Sequence, residues 1–265
     1  MSDPVIVSEP VKKNSFRIWY EIIVNPFSGF QAVGEKTKIA LPLICIMVLS
    51  VLSALLIQPI MSSPVYEKAM LEIQYAAIEK QQGTPLSDAM KETYRTQLTS
   101  STTKMVTRIS TLAVSPFSYM ILLLISALVL KIFASLVKEK RKFGLFFRIL
   151  AFAMIVTIAQ VLIKNIITLT GDWAAALKSA EGTLEFGQAL TSPVSLASLT
   201  SSRAIGKVGY YLLDTFTDIF NWLYYAFVYA GLTASAKIEK RKALILTLIF
   251  AATGTVMGFL AIAFI

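Results

Sequence analysis

The chain has 265 residues, of which 55% are hydrophobic and only 15% charged, with a mean hydropathy of +0.66; that balance lies outside the soluble range and marks an integral membrane protein. It carries a net charge of +9, no histidine and one cysteine, Cys45, inside an apolar run. An intrachain disulfide is excluded, zinc sites and histidine-dependent triads lack their commonest residue, and no metal or other cofactor is expected. The cations sit between apolar spans instead of forming a basic soluble surface, so no nucleic-acid partner is expected either.

In chain order, residues 1–38 read as a cytoplasmic N-terminal segment. Its stretch "SFRIWYEIIVNPFSGFQAVGEK" predicts an amphipathic interfacial helix, broken near Pro26 and resuming toward Glu35, with Trp19 and Tyr20 at headgroup depth. Such a helix orients the first span or docks a partner. A transmembrane domain follows over 39–265. Its apolar runs at 39–61, 112–137, 145–169, 210–236 and 243–265 each reach the roughly 20 residues that cross about 30 Å of hydrocarbon. None shows the period-two alternation of a barrel, so all five are expected to be helices. The first run starts too late and is too long for a cleaved signal, and is expected to stay in the mature protein. Pro42 and Pro116 are expected to kink or start their helices.

The connections at 62–111 and 170–209 are long enough to hold elements of their own. Ser63 and Pro64 start a helix that Gly83 ends, and Thr84 and Pro85 repeat the device before "LSDAMKETYRTQL", a helix that runs toward the second span. "DWAAALKSA" and "SPVSLASLT" predict two further short helices. The other connections are only a few residues long, so spans two and three, and four and five, form antiparallel hairpins. Both tight turns carry the tetrapeptide EKRK. The first copy supplies Lys140, Arg141 and Lys142 and follows Lys138, and the second supplies Lys240, Arg241 and Lys242 and follows Lys237. They read as topology signals that also touch anionic headgroups, at about 1 kcal/mol per basic residue. Lys131 reads as a snorkelling side chain.

The side holding the N-terminus and both turns collects fifteen basic and six acidic residues, and the other side ten of each, so the whole net charge lies on one face. By the positive-inside rule that face is cytoplasmic, which puts the C-terminus at Ile265 outside.

Polar residues inside spans are costly, at about 2.5 to 3.5 kcal/mol per charge on insertion scales, and they mark candidate sites. Asp214, Asp218 and Asn221 in span four are spaced to share one helical face. Gln160, Lys164 and Asn165 lie near the outer end of span three. At 1.5 Å per residue the aspartates sit roughly 6 to 12 Å inside the outer boundary, within reach of Lys164. The cluster of Lys164, Asn165, Asp214, Asp218 and Asn221 is either a salt bridge that fixes packing or the lining of a cavity in a transporter, channel or lipid-handling site. In span five, Gly254 and Gly258 form a GxxxG pattern that predicts close helix packing, within the bundle or between two copies. No nucleophile elbow and no phosphate-binding loop occurs, so an enzyme is not expected.

"NPFSGFQAVGEK" leading into a hydrophobic span, "KFGLFFRILAFAMIVTIAQVLI" after a basic turn, and "YAGLTASAKIEKRKALILTLI" together resemble the bacterial branch of the Yip family, the Ypt/Rab-interacting membrane proteins. The resemblance runs from about residue 15 over most of the chain and implies a five-span cytoplasmic-membrane protein without an established activity; the role expected of it is non-enzymatic, in membrane organisation or trafficking through protein or lipid partners. The longer soluble N-terminal region and DLYGP-type motif of the eukaryotic members are missing, so the resemblance does not bring small-GTPase partnership with it. The expectation is an all-α, five-helix membrane bundle with helical outer loops. Its partners are the bilayer and another membrane protein or a second copy.

Overall fold

The computed structural model describes residues 14–180 and 183–263. Lys12, Lys13 and the expected external terminus at Ile265 lie outside the described residues. Within them all regular elements are helical: α1 (Ser15–Val24), α2 (Pro26–Gln31), α3 (Ala40–Met61), α4 (Pro64–Gln82), α5 (Asp88–Thr99), α6 (Ser101–Leu136), α7 (Phe143–Ala153), α8 (Ile155–Thr170), α9 (Trp173–Ser179), α10 (Thr183–Leu190), a 3-10 turn (Leu196–Leu199), α11 (Ser202–Thr217), α12 (Ile219–Ala234) and α13 (Lys240–Ala263).

Four of the described helices are long and apolar enough to cross a membrane: Ala40–Met61, Ser101–Leu136, Phe143–Thr170 and Lys240–Ala261. The third joins α7 and α8 end to end, because Met154 donates to the Leu150 carbonyl and accepts from Ile158 across the seam. The expected run at 210–236 is helical but not one helix. Asp218 leaves the helical region at φ −75° and ψ 112°, and its carboxylate accepts the Phe220 N–H at 2.9 Å. Its own N–H closes α11 on the Asp214 carbonyl. An aspartate that caps one helix while ending the previous one breaks the run, since capping requires extended backbone. At 1.5 Å per residue, α12 alone is about 24 Å long, short of the roughly 30 Å hydrocarbon layer.

The core is built around α7, whose Phe146, Ile149, Leu150 and Phe152 are fully buried. Gly231 on α12 makes room for this packing, because a Cβ there would run into the Ile149 side chain and crowd the Phe30 ring. The N-terminal segment enters the same core. Asn25 breaks α1 from α2 and caps the latter by accepting from Ser28 N–H, with Pro26 in the first helical position. The two short helices fold back on each other where Gly29 meets the backbone of Ile22. Trp19 is therefore not at a surface; it is 7% exposed and donates its indole N–H to the Phe152 carbonyl at 3.2 Å. Tyr20, one residue further round α1, is exposed.

In the long connection after α3, Ser63 caps α4 and Gly83 ends it at φ +69°. The next helix starts later than Thr84–Pro85, at Asp88, because Ser87 is the residue that accepts from Met90 N–H. Ser100 then interrupts the chain and caps α6, so α5 does not run into the second span. Helix α6 has 36 residues, about 54 Å, and passes through Pro116 without starting there. Its first turns are fixed by Lys104 to Glu67 at 2.6 Å and Arg108 to the Ser62 hydroxyl at 2.8 Å. Pro42 falls in the first turn of α3, where no helical N–H is lost. Asp172 caps α9 as expected of "DWAAALKSA", but "SPVSLASLT" yields only the 3-10 turn, and α10 forms between the two. These elements share a second apolar cluster of Ile60, Ala69, Leu177 and Ala189, flanked by Tyr66, Trp173 and Phe186.

Two consequences can be measured. Gly29→Ala places a methyl against Ile22 backbone, which cannot swing away as a side chain would, so it should destabilise the hairpin by about 1 to 3 kcal/mol; a lower melting temperature and faster proteolysis near Asn25 are expected. In the α4–α5 connection, Glu79 accepts from Leu86 N–H at 3.0 Å and pairs with Lys91 at 3.2 Å. The Leu86 amide first, and Lys91 second, hold its carboxyl below the ordinary value of 4.5. A depressed folded value stabilises above the ordinary value and is lost as pH falls through the folded one. Hydrogen exchange at the Leu86 amide, corrected for intrinsic rate, should therefore accelerate on acidification below about 4.5 in the wild type, whereas Glu79→Gln should remove that dependence.

Candidate functional site

The break at Asp218 is where the polar side chains converge. Asp218 is 0% exposed, and each carboxylate oxygen is occupied. Oδ1 caps α12 at Phe220 N–H, while Oδ2 accepts from Gln160 Nε2 at 2.6 Å and lies 3.0 Å from Lys164 Nζ. Lys164, with its side chain 12% exposed, also faces Asp214 Oδ2 at 3.9 Å. Asp214 is the more open of the two, at 30%, and accepts from the Ser195 hydroxyl at 2.6 Å. Asn221 stands beside Gln160 and donates to the Thr215 carbonyl at 3.1 Å, reaching back over the break.

Lys164, Asp214, Asp218 and Asn221 therefore come together, although not on one continuous helical face. The interruption itself turns Asp218 into the centre of the group. Asn165 is elsewhere: one residue round the helix from Lys164, it donates to both the Ser53 carbonyl and hydroxyl, at 2.9 and 2.7 Å, and pins α8 to α3. Gln160 is the residue that takes its place, one helical turn before Lys164. Ser195 arrives from the connection between α10 and α11, where abundant hydroxyl residues give no sequence signal to single it out. The Leu196 N–H donates to Thr217 Oγ1 at 2.9 Å and seats the 3-10 turn on α11.

The two glycines of α13 face the same broken helix. A Cβ on Gly258 would overlap the Tyr211 hydroxyl, and one on Gly254 would crowd Tyr225. Tyr211 donates to the Thr255 carbonyl at 3.0 Å. The GxxxG face is thus filled within the chain by tyrosines of α11 and α12.

At the opposite end of the bundle the two EKRK turns meet. Lys242 Nζ of the second lies 2.9 Å from Glu139 Oε1 of the first, and Arg141 reaches the Lys237 carbonyl at 3.4 Å. Lys142 pairs with Glu35 at 2.7 Å, which ties the turn to the segment before α3. Lys138, Lys140, Lys237, Lys240 and Arg241 remain exposed. Among the described residues no group of three or more histidine, cysteine, aspartate or glutamate side chains is placed to hold a metal ion.

The model of the Yip1 domain matches residues 20–262. The chain belongs to the Yip1 family. The Yip1 domain accordingly runs from within α1 almost to the end of α13, so α2, the helices between the long apolar ones, the polar cluster and both basic turns all fall inside it, as do the last turns of α1. With its four long apolar helices, it is a Yip1-domain membrane protein. No curated protein and no solved structure matches the chain.

Removing one member of a buried ion pair leaves an uncompensated charge and costs about 3 to 5 kcal/mol, whereas removing both is far milder. Asp218→Asn keeps a good helix cap but strands Lys164, and Lys164→Met strands Asp218. Each single variant should lower the melting temperature in detergent sharply, and Lys164→Met/Asp218→Asn should recover more than half of the loss.

Proposed function

We propose that the chain crosses the bacterial cytoplasmic membrane five times, the fourth crossing made by α12 together with the last turns of α11. Its role is non-enzymatic: it organises the membrane or its traffic through protein or lipid partners. The N-terminus faces the cytoplasm and the C-terminus the outside, an orientation supported by the collection of the net charge on the face of the two basic turns.

The observation that carries this reading is the internal pairing of the polar cluster. A solute pathway must offer polar groups free to bind the solute, whereas both oxygens of Asp218 have partners inside the chain and the ammonium of Lys164 faces two carboxylates. The cluster acts as an interhelical lock, and the protein's business lies on its outward surfaces.

A second reading, a small transporter, channel or lipid-handling protein, is favoured by one feature: an ionisable pair at a discontinuous helix is the arrangement from which transporters build central sites. Reconstitution separates the two. Liposomes holding the purified protein should show no ion or solute leak above empty liposomes. A flux that disappears in Asp214→Asn/Asp218→Asn would replace the organising role with transport. A reporter fused after Ile265 should be active only outside the cytoplasm, and a cytoplasmic signal would reverse the orientation.

A further inference from the structure

Neither the polar lock nor the packing of the bundle accounts for the form of the two basic turns. Lys138 and Lys237 leave α6 and α12 in the left-handed region, at φ 63° and φ 55°, where glycine is the usual residue and a side chain is strained. Both side chains are exposed, so in each turn a cation is held out from the end of the bundle against the preference of its own backbone. The turns are also clasped to each other, through Glu139 with Lys242 and Arg141 with the Lys237 carbonyl. They make one ledge instead of two independent loops. The clasp uses Arg141 and Lys242, and Lys142 pairs with Glu35, while the exposed Lys138, Lys140, Lys237, Lys240 and Arg241 carry no ion pair among the described residues.

An apolar track adjoins this ledge. Leu128, Ile132 and Leu136 follow each other at one-turn intervals along α6 and are all exposed, Leu136 by 73% immediately before the turn. Cations above a lipid-facing strip are complementary to a molecule with an anionic head and long apolar chains. A soluble acidic segment would use only the first half of that surface.

We propose that the clasped turns hold the headgroup of an anionic phospholipid, its phosphate between the Lys138 and Lys237 turns and its acyl chains along the exposed side of α6. This deepens the organising role by naming a lipid class as partner. It is tested by binding alone, so a failed flux or orientation experiment does not bear on it.

The test is native mass spectrometry of the detergent-purified full chain, titrated separately with dioleoyl phosphatidylglycerol and dioleoyl phosphatidylcholine. The wild type should bind the anionic lipid at least tenfold more tightly. Lys138→Gly/Lys237→Gly should weaken that binding about thirtyfold, at roughly fivefold per lysine, while phosphatidylcholine binding stays unchanged. Its melting temperature should hold or rise, since glycine relieves both positive φ angles. Lys140→Gln/Lys240→Gln, away from the strained positions, should show the same selective loss. Retained preference for phosphatidylglycerol in both variants would overturn the proposal, as would a fall in melting temperature of the glycine variant, which would make the two lysines structural. Equal binding of water-soluble glycerophosphoglycerol would remove the acyl track, and tighter binding of a hexaglutamate peptide would make an acidic polypeptide the occupant.

Discussion

An ammonium and a carboxylate 3.0 Å apart, Lys164 and Asp218, hold the interior of this membrane protein in register. Neither charge is tolerable alone in a low-dielectric interior, so each fixes the other, and with it the helix each belongs to. Because Asp218 also ends α11 and caps α12, the pair sets where the broken helix bends. Gln160 and Lys164 bring α8 to that bend, Ser195 brings the α10–α11 connection through Asp214, and Tyr211 brings α13 through the Thr255 carbonyl. Five parts of the chain thus take their axial positions from one point.

Away from that point the bundle relies on close approach. Gly29 lets α1 and α2 touch backbone to backbone, Gly231 admits Ile149 and Phe30, and Gly258 admits Tyr211. Apolar burial gains little for helix faces that could as well meet lipid tails, so dispersion between tightly fitted surfaces has to carry the association. The basic end is held differently, by Glu35 with Lys142, Glu139 with Lys242, and Arg148 donating to the Thr37 carbonyl at 3.0 Å. These pairs are partly exposed, and their value is geometric more than energetic.

Much of this was legible in the sequence, for identifiable reasons. Long apolar runs, capping residues such as Ser63 and Asp172, and the glycine at position 83 act locally, and the structure places helices where they point. The meeting of Lys164 with Asp214 and Asp218 follows from depth alone, because antiparallel neighbours put residues at equal heights side by side. The break at Asp218 was hidden, since hydropathy averages over a window and cannot tell an aspartate on a helix face from one that caps the next helix. Asn165 shows a similar limit. It is adjacent to Lys164 in sequence, but a step of one residue turns the helix by about 100°, enough to send it to Ser53 on another neighbour. Trp19 reads as interfacial because aromatic residues are common there, and only the long-range fold provides the Phe152 carbonyl that draws it inward.

That last contact has a bearing on the order of assembly. The N-terminal hairpin is completed by partners far along the chain: Phe152, 133 residues from Trp19, and Ser235, whose hydroxyl donates to the Val33 carbonyl 202 residues away. At a synthesis rate of about 5 to 20 residues per second, Ser235 is made roughly 10 to 40 seconds after Val33, and Phe152 roughly 7 to 27 seconds after Trp19. Until then the indole of Trp19 lacks its carbonyl acceptor and the hairpin its second anchor. The hairpin is made well before the partners that lock it, so its seating reports that those later helices have found their places.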